Sequence, residues 1–432
     1  MEAHEKTRGT TRRAATPGTA RAAVPMPGPQ VWERLLTDDL DQWAGRGLER
    51  HPAIYDTAQD AEVHTDQGSG VLFCSSNYLG LATHPALIAA SAEAMARFGC
   101  GSGGSRLTTG SSVLHRRVEQ QLAAFFGYPA AVLFATGYQA NVSVISSLTG
   151  AGVTIISDAQ NHASLIDGCR LSRAHTIVVP HSDRDALSQA LDEAAAPAMV
   201  VTEGVYSMSG DLCPLADIAE LAHRRGALLI VDDAHGVGTV GDQGRGMASM
   251  VPQRMRPDVL IGTASKALGS EGAFVCCSAL IARYLRNHAR GYVFSTAPAP
   301  STVAAIGAAM RLLQSQPEHF SALRENISRL GAACVAAHLP VAPSQSPIFC
   351  VRIGETARAM TVAARLAADG FIVSPIRYPT VPHGAAMLRV CLMATHTAAQ
   401  IDGLADCLRR VLAELDEPGV DGHPAVVMKG MT

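Results

Sequence analysis

The sequence predicts an α/β protein in which helices cover both faces of a mostly parallel central sheet, followed by a smaller α+β domain. Two observations predict this class. From residue 71 onward, short runs of strand length alternate with longer stretches of helical periodicity, as parallel strands alternate with their crossover helices. These short runs are apolar, which is typical of strands that are buried on both faces.

The elements follow one another in a regular order. Val31, Leu35 and Leu40 lie at helical spacing, so an amphipathic helix is expected over 31–51. Further helices are predicted at 115–126, 183–194 and 215–225. The strands of the central sheet are predicted at 131–134, 153–157, 175–179, 199–202, 227–231, 259–263 and 273–277. In the smaller domain, helices at 302–313 and 320–339 precede strands at 348–353 and 387–392.

The length of the chain predicts more than one domain, because 432 residues exceed what one core of typical size holds. We expect a large domain over 71–300 and a small domain over 301–416, preceded by a helix and a small segment over 30–70. Residues 1–29 are rich in Arg, Thr, Ala, Pro and Gly and are predicted to be a disordered extension. A targeting peptide is the alternative, which Glu2 and Glu5 disfavour. Residues 417–432 are predicted to be a flexible tail.

The composition argues against several classes of function. With a net charge of -3 there is no electrostatic footprint for nucleic acid or for an anionic membrane. No apolar stretch approaches the ~18 residues that span a bilayer. The ten cysteines show neither a C-x-x-C pair nor metal-type spacing, which predicts reduced thiols and no metal site. We therefore expect a cytoplasmic protein.

Polar side chains gather directly after four of the predicted strands. In parallel sheets ligands bind outside the carboxyl ends of the strands, so these side chains are expected to share one rim. Each alone has an ordinary explanation, such as a helix cap, a core histidine or a turn residue, but their joint placement favours a functional site. They are Asp158 and His162 after 153–157, Glu203 and Ser207 after 199–202, Asp232, Asp233 and His235 after 227–231, and Lys266 after 259–263.

Lys266 is the candidate nucleophile, because it follows a buried strand and burial lowers the pKa of a lysine, which favours imine chemistry. The ordinary alternative is a solvated lysine at the end of a strand. Nearby, Gly137 and Tyr138 open a predicted helix whose backbone N–H groups could face an anion. A lysine, a carboxylate, an imidazole and a phosphate cradle are together the groups that pyridoxal phosphate requires.

Seven stretches, taken in order, resemble the α-oxoamine synthases, a family of pyridoxal-phosphate enzymes. The resemblance covers about residues 31 to 415, and the ordered set is far more specific than any member. It implies a fold-type I pyridoxal-phosphate transferase that is a homodimer with shared active sites. The stretches are Asn77-Tyr-Leu-Gly-Leu81, Gly101-Ser-Gly-Gly-Ser-Arg106, Asn161-His-Ala-Ser-Leu165, Thr202-Glu-Gly-Val-Tyr-Ser207, Val231-Asp-Asp-Ala-His-Gly236, Thr263-Ala-Ser-Lys266 and Pro379-Thr-Val-Pro382.

The resemblance implies a role for each matching residue around the cofactor. Lys266 would bind the cofactor covalently and later remove the Cα proton of the amino acid, and His162 would stack on the ring and help to polarise the thioester carbonyl. The remaining cofactor contacts would be Asp232 at the pyridine nitrogen, His235 and Ser207 at the phenolic oxygen, Thr263 with the backbone of Gly137 and Tyr138 at the phosphate, and Ser295 or Thr296 of the partner subunit completing the phosphate site.

The implied reaction joins an amino acid to an acyl-CoA or acyl-carrier-protein thioester with loss of carbon dioxide. Arg389 matches the arginine that binds the amino-acid carboxylate, a bidentate contact that suits a planar guanidinium. Arg50, Ser76 and Asn77 are further candidates for substrate contact. The pattern is most similar to the 8-amino-7-oxononanoate synthases, which join a pimeloyl thioester to L-alanine in biotin synthesis.

Several departures from that subfamily leave alternatives open. Ser76 and Asn77 fall where its members usually have Asn and Asp, Ser209 replaces an acidic residue, and Met387 replaces an arginine. Another α-oxoamine synthase is therefore an alternative, of the serine palmitoyltransferase, glycine C-acetyltransferase, 5-aminolevulinate synthase or specialised-pathway kind. A remote alternative is a regulator that keeps the fold without catalysis.

Overall fold

The computed structural model describes residues 28–194 and 197–416. Within the described residues, 28–52 form one compact unit, and 53–194 with 197–416 form a second. In the first unit, helix α1 runs over Pro29–Gly45 with a proline in its first turn. It ends at Gly45 rather than at residue 51, and Gly47 soon follows with a φ of 65°, outside the helical region. A disordered extension was predicted over 1–29, but α1 already begins at Pro29. The rest of that prediction, over 1–27, and the flexible tail predicted over 417–432 lie outside the described residues.

A seven-stranded sheet forms the centre of the second unit. The strand order is β3-β9-β8-β7-β6-β4-β5, and β9 alone runs antiparallel to its neighbours. The mostly parallel sheet predicted from the sequence is therefore confirmed. Its strands are β3 (Ala130–Phe134), β4 (Thr154–Asp158), β5 (His175–Val179), β6 (Ala198–Glu203), β7 (Leu228–Asp232), β8 (Val259–Thr263) and β9 (Ala273–Cys277).

Helices cover both faces of this sheet. Side chains alternate along β8, so that Leu260 joins the apolar cluster on one face and Ile261 joins the cluster on the other. Burial on both faces explains why the strands are apolar throughout. The helices of this region are α2 (Pro85–Phe98), α3 (Val113–Phe126), α4 (Gly137–Leu148), α5 (Ala163–Ser172), α6 (Arg184–Glu193), α7 (Leu215–Arg224), α8 (Ala279–His288) and α9 (Arg290–Val293).

Two small sheets accompany the central one. The first joins β1 (Glu62–Thr65) and β2 (Gly68–Leu72) to β11 (Phe371–Ile372), and the second has the order β10-β13-β12. In the second sheet, the antiparallel register sets Cys350 opposite Arg389 and Arg352 opposite Met387. Its strands are β10 (Ile348–Gly354), β12 (Ser374–Ile376) and β13 (Ala386–Cys391), and the accompanying helices are α10 (Pro300–Ser315), α11 (Glu318–Ala336), α12 (Thr356–Ala368) and α13 (Ala398–Asp416).

The boundary between a large and a small domain at residue 300 stays a prediction. Helix α10, which begins there, packs through Val303 and Ile306 into the same apolar cluster as Leu122 of α3. The second unit from Ala53 onward is accordingly compact across this point. Among the described helices, none combines the length and the apolar character that crossing a bilayer requires.

Candidate active site

Four neighbouring parallel strands bring polar side chains to one edge of the central sheet. β4, β6, β7 and β8 end at Asp158, Glu203, Asp232 and Thr263. The register sets Glu203 directly beside Asp232. The predicted rim of polar groups is therefore present, and the turns that follow these strands carry the histidines and the lysine.

Lys266 lies in the turn after β8, where its amine meets His235. The distance from Lys266 Nζ to His235 Nε2 is 2.8 Å. Burial lowers the pKa of Lys266 to about 8, although the carboxylate of Asp232 acts in the opposite direction. A lysine with this pKa is partly uncharged near neutral pH, the state in which its nitrogen is nucleophilic. The sequence contains three lysines, and Lys266 is the one that falls within residues 28–416.

His235 joins the lysine to a chain of hydrogen bonds. Its Nδ1 lies 2.7 Å from the hydroxyl oxygen of Tyr78, and Arg389 Nη2 donates to the same oxygen at 3.5 Å. Arg389 also donates from Nε to the carbonyl oxygen of Ser207 at 2.8 Å. Burial, together with the positive charge of Lys266, holds the pKa of His235 well below its usual range. The imidazole is therefore neutral at physiological pH.

A second chain of hydrogen bonds links Asp232 to His162. Asp232 Oδ1 accepts from the backbone N–H of Ala234 at 3.0 Å, and its Oδ2 accepts from Asn141 Nδ2 at 2.6 Å. The same amide nitrogen of Asn141 donates to Ser164 Oγ at 2.8 Å, and Ser164 Oγ lies 2.7 Å from His162 Nδ1. The carboxylate and the imidazole that the sequence assigns to the pyridine ring are thus oriented by one connected network.

The N-terminus of α4 forms a candidate anion site beside the end of β8. α4 begins at Gly137, and Thr136 caps it by accepting from the N–H of Gln139 at 3.1 Å. A Cβ on Gly137 would lie 3.7 Å from Thr263 Oγ1, which is itself 2.7 Å from Ser265 Oγ. Free helical N–H groups and two hydroxyls therefore surround one location, which is the arrangement that phosphate prefers.

Three further predicted residues lie close to these groups. Tyr138 follows Gly137 and donates its hydroxyl proton to Asp167 Oδ2 at 2.5 Å. Ser76 lies beside the hydroxyl of Tyr78. The side chain of Asn77 is buried, and both ends of its amide bind the local backbone, with Nδ2 donating to Gln59 at 3.1 Å and Oδ1 accepting from Ala82 at 3.2 Å. Substrate contact by Ser76 and Asn77 remains a prediction.

Among the described residues of the second unit, no hydrogen bond joins Ser295 or Thr296 to the Lys266 cluster. Thr296 pairs with Ser105 through an antiparallel bridge, next to Phe294, whose side chain is 71% exposed. The role predicted for Ser295 and Thr296 requires a second subunit and stays a prediction. Arg50 is exposed and belongs to the first compact unit, and its role also stays a prediction.

Three residues of the site were given no role by the predictions from the sequence. Tyr78 belongs to a quoted motif and Asn141 follows closely after Gly137 and Tyr138, but both reach the cluster only through tertiary contacts with His235 and Asp232. Glu203 was recognised at the rim without a function. Burial and the neighbouring Asp232 carboxylate raise the pKa of Glu203 to about 8, and its Oε1 has no hydrogen-bond partner among the described residues. The feature of the sequence that could have pointed to Glu203 was its position at the end of a predicted strand.

The fold and these contacts define the class of protein. A partly neutral lysine, a carboxylate oriented by an amide, an imidazole and an anion cradle at a helix N-terminus all lie at the carboxyl edge of a mostly parallel sheet, and they fit a pyridoxal-phosphate enzyme of fold type I. A model of the family aminotransferase class I and II matches residues 69–408, and the chain belongs to this family of pyridoxal-phosphate-dependent enzymes, within which its relatives are α-oxoamine synthases.

Comparisons with known proteins support that class. The chain is 48% identical over 385 residues to the biotin biosynthesis bifunctional protein BioWF of Cutibacterium acnes, covering 88% of this chain and 59% of the relative. It is 42% identical to the 8-amino-7-oxononanoate synthase of Geobacter sulfurreducens, covering 88% of this chain and 99% of the relative. The chain therefore spans less than two thirds of the length of the bifunctional relative and nearly all of the single-function one.

A solved structure gives the same class. Serine palmitoyltransferase from S. paucimobilis, with a bound PLP-myriocin aldimine, matches with a TM-score of 0.84 and 30% identity, over 90% of this chain and 99% of that chain. The predicted family, fold and cofactor are thereby confirmed.

Proposed function

We propose that this protein is an 8-amino-7-oxononanoate synthase, which joins L-alanine to a pimeloyl thioester and releases carbon dioxide and the thiol. The observation that carries this proposal is the Lys266 cluster. It occurs in a chain that is 42% identical to a protein named 8-amino-7-oxononanoate synthase and that covers 99% of that protein. The bifunctional relative is a longer protein, so the proposal concerns only the stretch that this chain shares with it.

The geometry supports an assignment of the residues that would hold pyridoxal phosphate. Lys266 would bind it covalently, Asp232 would face its ring nitrogen, and Thr263 with the first N–H groups of α4 would hold its phosphate. The bound cofactor supplies an electron sink for the carbanion that forms at the amino-acid Cα. Asn141 keeps the Asp232 carboxylate in a fixed orientation for this purpose.

Three side chains have further roles in the reaction. The amine of Lys266, whose pKa is lowered by burial to about 8, accepts the Cα proton near neutral pH. Arg389 is fixed by its bond to the Ser207 carbonyl and directs its guanidinium to the amino-acid carboxylate. His162, oriented through Ser164, donates a hydrogen bond to the thioester carbonyl and so stabilises the developing negative charge.

The assembly and the location of the protein are also part of the proposal. A homodimer would cover the exposed Phe294 and bring Ser295 and Thr296 of the partner subunit to the phosphate. The ten cysteines are all free, which suits a reducing compartment such as the cytoplasm. Light scattering on the purified protein tests the dimer, with twice the mass of one chain as the expected result.

A substrate panel tests the reaction. The purified holoenzyme is mixed with L-alanine, L-serine or glycine and with pimeloyl-, palmitoyl-, succinyl- or acetyl-CoA, while thiol release and product mass are measured. We expect the pair of L-alanine and pimeloyl-CoA to exceed every other pair by about tenfold or more in kcat/KM, because mismatched apolar chains and unpaired polar groups each cost ~1–3 kcal/mol.

The other outcomes of the panel are equally informative. Highest turnover with L-serine and palmitoyl-CoA would instead favour the serine palmitoyltransferase reaction, which the structural neighbour suggests. Cofactor binding without turnover of any pair, including pimeloyl attached to a carrier protein, would contradict a catalytic role. The Lys266→Ala variant is the control in which thiol release should stop.

A further inference from the structure

A cleft of about 990 Å³ opens beside the Lys266 cluster. His162 and Ser207 line it, so it is continuous with the groups that surround the cofactor site. Most of its other lining side chains are apolar, which suits an aliphatic chain. The apolar lining includes Ile166, Met208, Ile348, Val381 and Met387.

One wall of the cleft is the small sheet, in which the strand register orders the side chains. Ile348, Cys350 and Arg352 alternate along β10 and all line the cleft. Cys350 lies opposite Arg389 in the register and donates from Sγ to the carbonyl oxygen of Met208 at 2.6 Å, so this part of the strand adjoins the site. Arg352 lies two residues further, roughly 7 Å along the strand.

Arg352 is the uncompensated charge of this wall. Its guanidinium is exposed and makes no hydrogen bond or ion pair with the described residues. Two further ionisable side chains in the lining, His181 and Asp211, are paired with each other by a contact of 3.0 Å between Nε2 and Oδ2. Burial lowers the pKa of His162, so that ring adds no fixed charge. A free guanidinium in the wall of an apolar cleft, two residues along β10 from Cys350, is suited to an anionic group at the end of an aliphatic chain.

We propose that Arg352 binds the distal carboxylate of the acyl substrate and so selects dicarboxylic acyl thioesters over monocarboxylic ones. This inference rests on the proposed function and deepens it. The chain would lie against Ile348 and Met387, with its thioester carbonyl at His162 and its carboxylate paired with the guanidinium in a bidentate contact. A monocarboxylic chain of the same length would leave Arg352 without a partner.

The test compares two acyl chains on the same carrier. Wild-type enzyme and the Arg352→Gln variant are assayed with pimeloyl-CoA and with heptanoyl-CoA, which has the same chain length but no distal carboxylate. We expect kcat/KM for pimeloyl-CoA to fall roughly ten- to hundredfold in the variant, since hydrogen bonds to charged groups contribute ~1.5–3 kcal/mol. For heptanoyl-CoA we expect a change of less than about threefold, because only the carboxylate contact is lost.

Two controls exclude a general loss of structure. Arg358→Gln removes a half-buried arginine that does not line the cleft and whose Nη2 binds Asp416 Oδ1 at 2.5 Å, and it should leave the kinetics with both substrates unaffected. Arg352→Lys keeps a positive charge without the planar fork and should restore part of the preference for pimeloyl-CoA. Thermal melting of each holoenzyme checks that the variants are folded.

Each alternative result overturns a distinct statement. Equal loss with both thioesters means that Arg352 contacts the CoA carrier and not the acyl carboxylate, and unchanged kinetics with both means that it contacts neither; either result overturns the assignment while the proposed function stands. A wild-type enzyme that does not prefer pimeloyl-CoA to heptanoyl-CoA overturns the carboxylate subsite. If its highest turnover in the substrate panel is with a different pair, the proposed function fails as well.

Discussion

Two histidines at the carboxyl edge of the same sheet have opposite electrostatic environments. His235 lies between Tyr78 and Lys266, and burial with the lysine charge holds the pKa of His235 well below its usual range. His181 lies between two carboxylates, with Nδ1 3.1 Å from Asp158 and Nε2 3.0 Å from Asp211. The hydrogen bonds that His181 donates to these carboxylates raise its pKa to about 9.

The difference shows how neighbours decide the role of an imidazole. The neutral ring of His235 can share a hydrogen bond with an amine that must change its protonation state during catalysis. The charged ring of His181 instead fastens the end of β4 to the loop after β6, where Tyr206 also donates to Asp158 Oδ2 at 2.9 Å. One side of the rim is therefore arranged for chemistry and the other for rigidity.

Replacing Lys266 by alanine should have the largest effect on the reactive side. Without the amine, the covalent link to the cofactor and the Cα proton acceptor are both lost, so kcat should fall by about a thousandfold or more. The visible absorbance of the bound cofactor should disappear as well. Absorbance spectra and thiol release measure both effects. The double variant Lys6→Ala and Lys429→Ala is the matched control, because it removes the other two lysines of the chain and should keep both signals.

Replacing Asn141 by alanine should have the next largest effect. Asp232 would lose the amide that holds its Oδ2 at 2.6 Å, so the carboxylate would no longer be fixed against the ring nitrogen. We expect the dissociation constant for pyridoxal phosphate to rise by roughly tenfold or more, since a hydrogen bond to a charged group contributes ~1.5–3 kcal/mol. Fluorescence titration measures this constant. Ser164→Ala keeps the bond between Asn141 and Asp232 and should change it much less; equal effects would argue against the proposed orientation of Asp232.

Replacing His181 by glutamine should affect stability and leave the chemistry intact. The loss of two charge-assisted hydrogen bonds should lower the free energy of unfolding by about 1–3 kcal/mol at neutral pH. Because the folded pKa of about 9 lies above the ordinary 6.5, this contribution is complete below pH 6.5 and disappears as the pH rises through 9. Denaturant unfolding of both proteins at several pH values should therefore show a difference that shrinks at alkaline pH. A difference that grows with pH would contradict the assignment of charge to His181.

Replacing Glu203 by glutamine should have the smallest effect. Burial and Asp232 raise the pKa of Glu203 to about 8, so its carboxyl is protonated near neutral pH and resembles an amide in shape. The folded state then holds one proton more than the unfolded state between about pH 4.5 and 8, so in wild type this group makes stability fall as pH rises through that range. In the variant the slope of the unfolding free energy should be flatter, by at most ~1.4 kcal/mol per pH unit. An unchanged slope would show that Glu203 is ionised.

The strands of the central sheet could be predicted because each is a short buried run bounded by polar turns. The predicted strands at 175–179, 259–263 and 273–277 have the bounds that the structure shows, and the other four strands of the sheet differ by one residue at one or both ends. β1, β2, β11 and β12 were missed because they are only two to five residues long, so their pairing in the folded chain is what reveals them. The apolar spacing alone predicted a helix up to residue 51, whereas α1 ends at Gly45, shortly before Gly47 with its positive φ.

The residues of the candidate site likewise fall into those that the sequence could place and those that it could not. Lys266, Asp232 and His235 could be placed at one edge because each follows a strand of a parallel sheet. Tyr78 and Asn141 could not, since their partners are distant in the sequence and no local pattern marks the contact. Reactive groups are therefore visible in the sequence, whereas the side chains that orient them become visible only in the folded chain.

The most direct test of the central claim is to find where pyridoxal phosphate attaches. The purified protein is incubated with the cofactor, the bond is fixed with borohydride, and the digested peptides are read by mass spectrometry. The proposed chemistry predicts one adduct on Lys266, which is half-buried beside His235 and Asp232. An adduct on Lys6 or Lys429 alone, or no adduct on any of the three lysines, would contradict it.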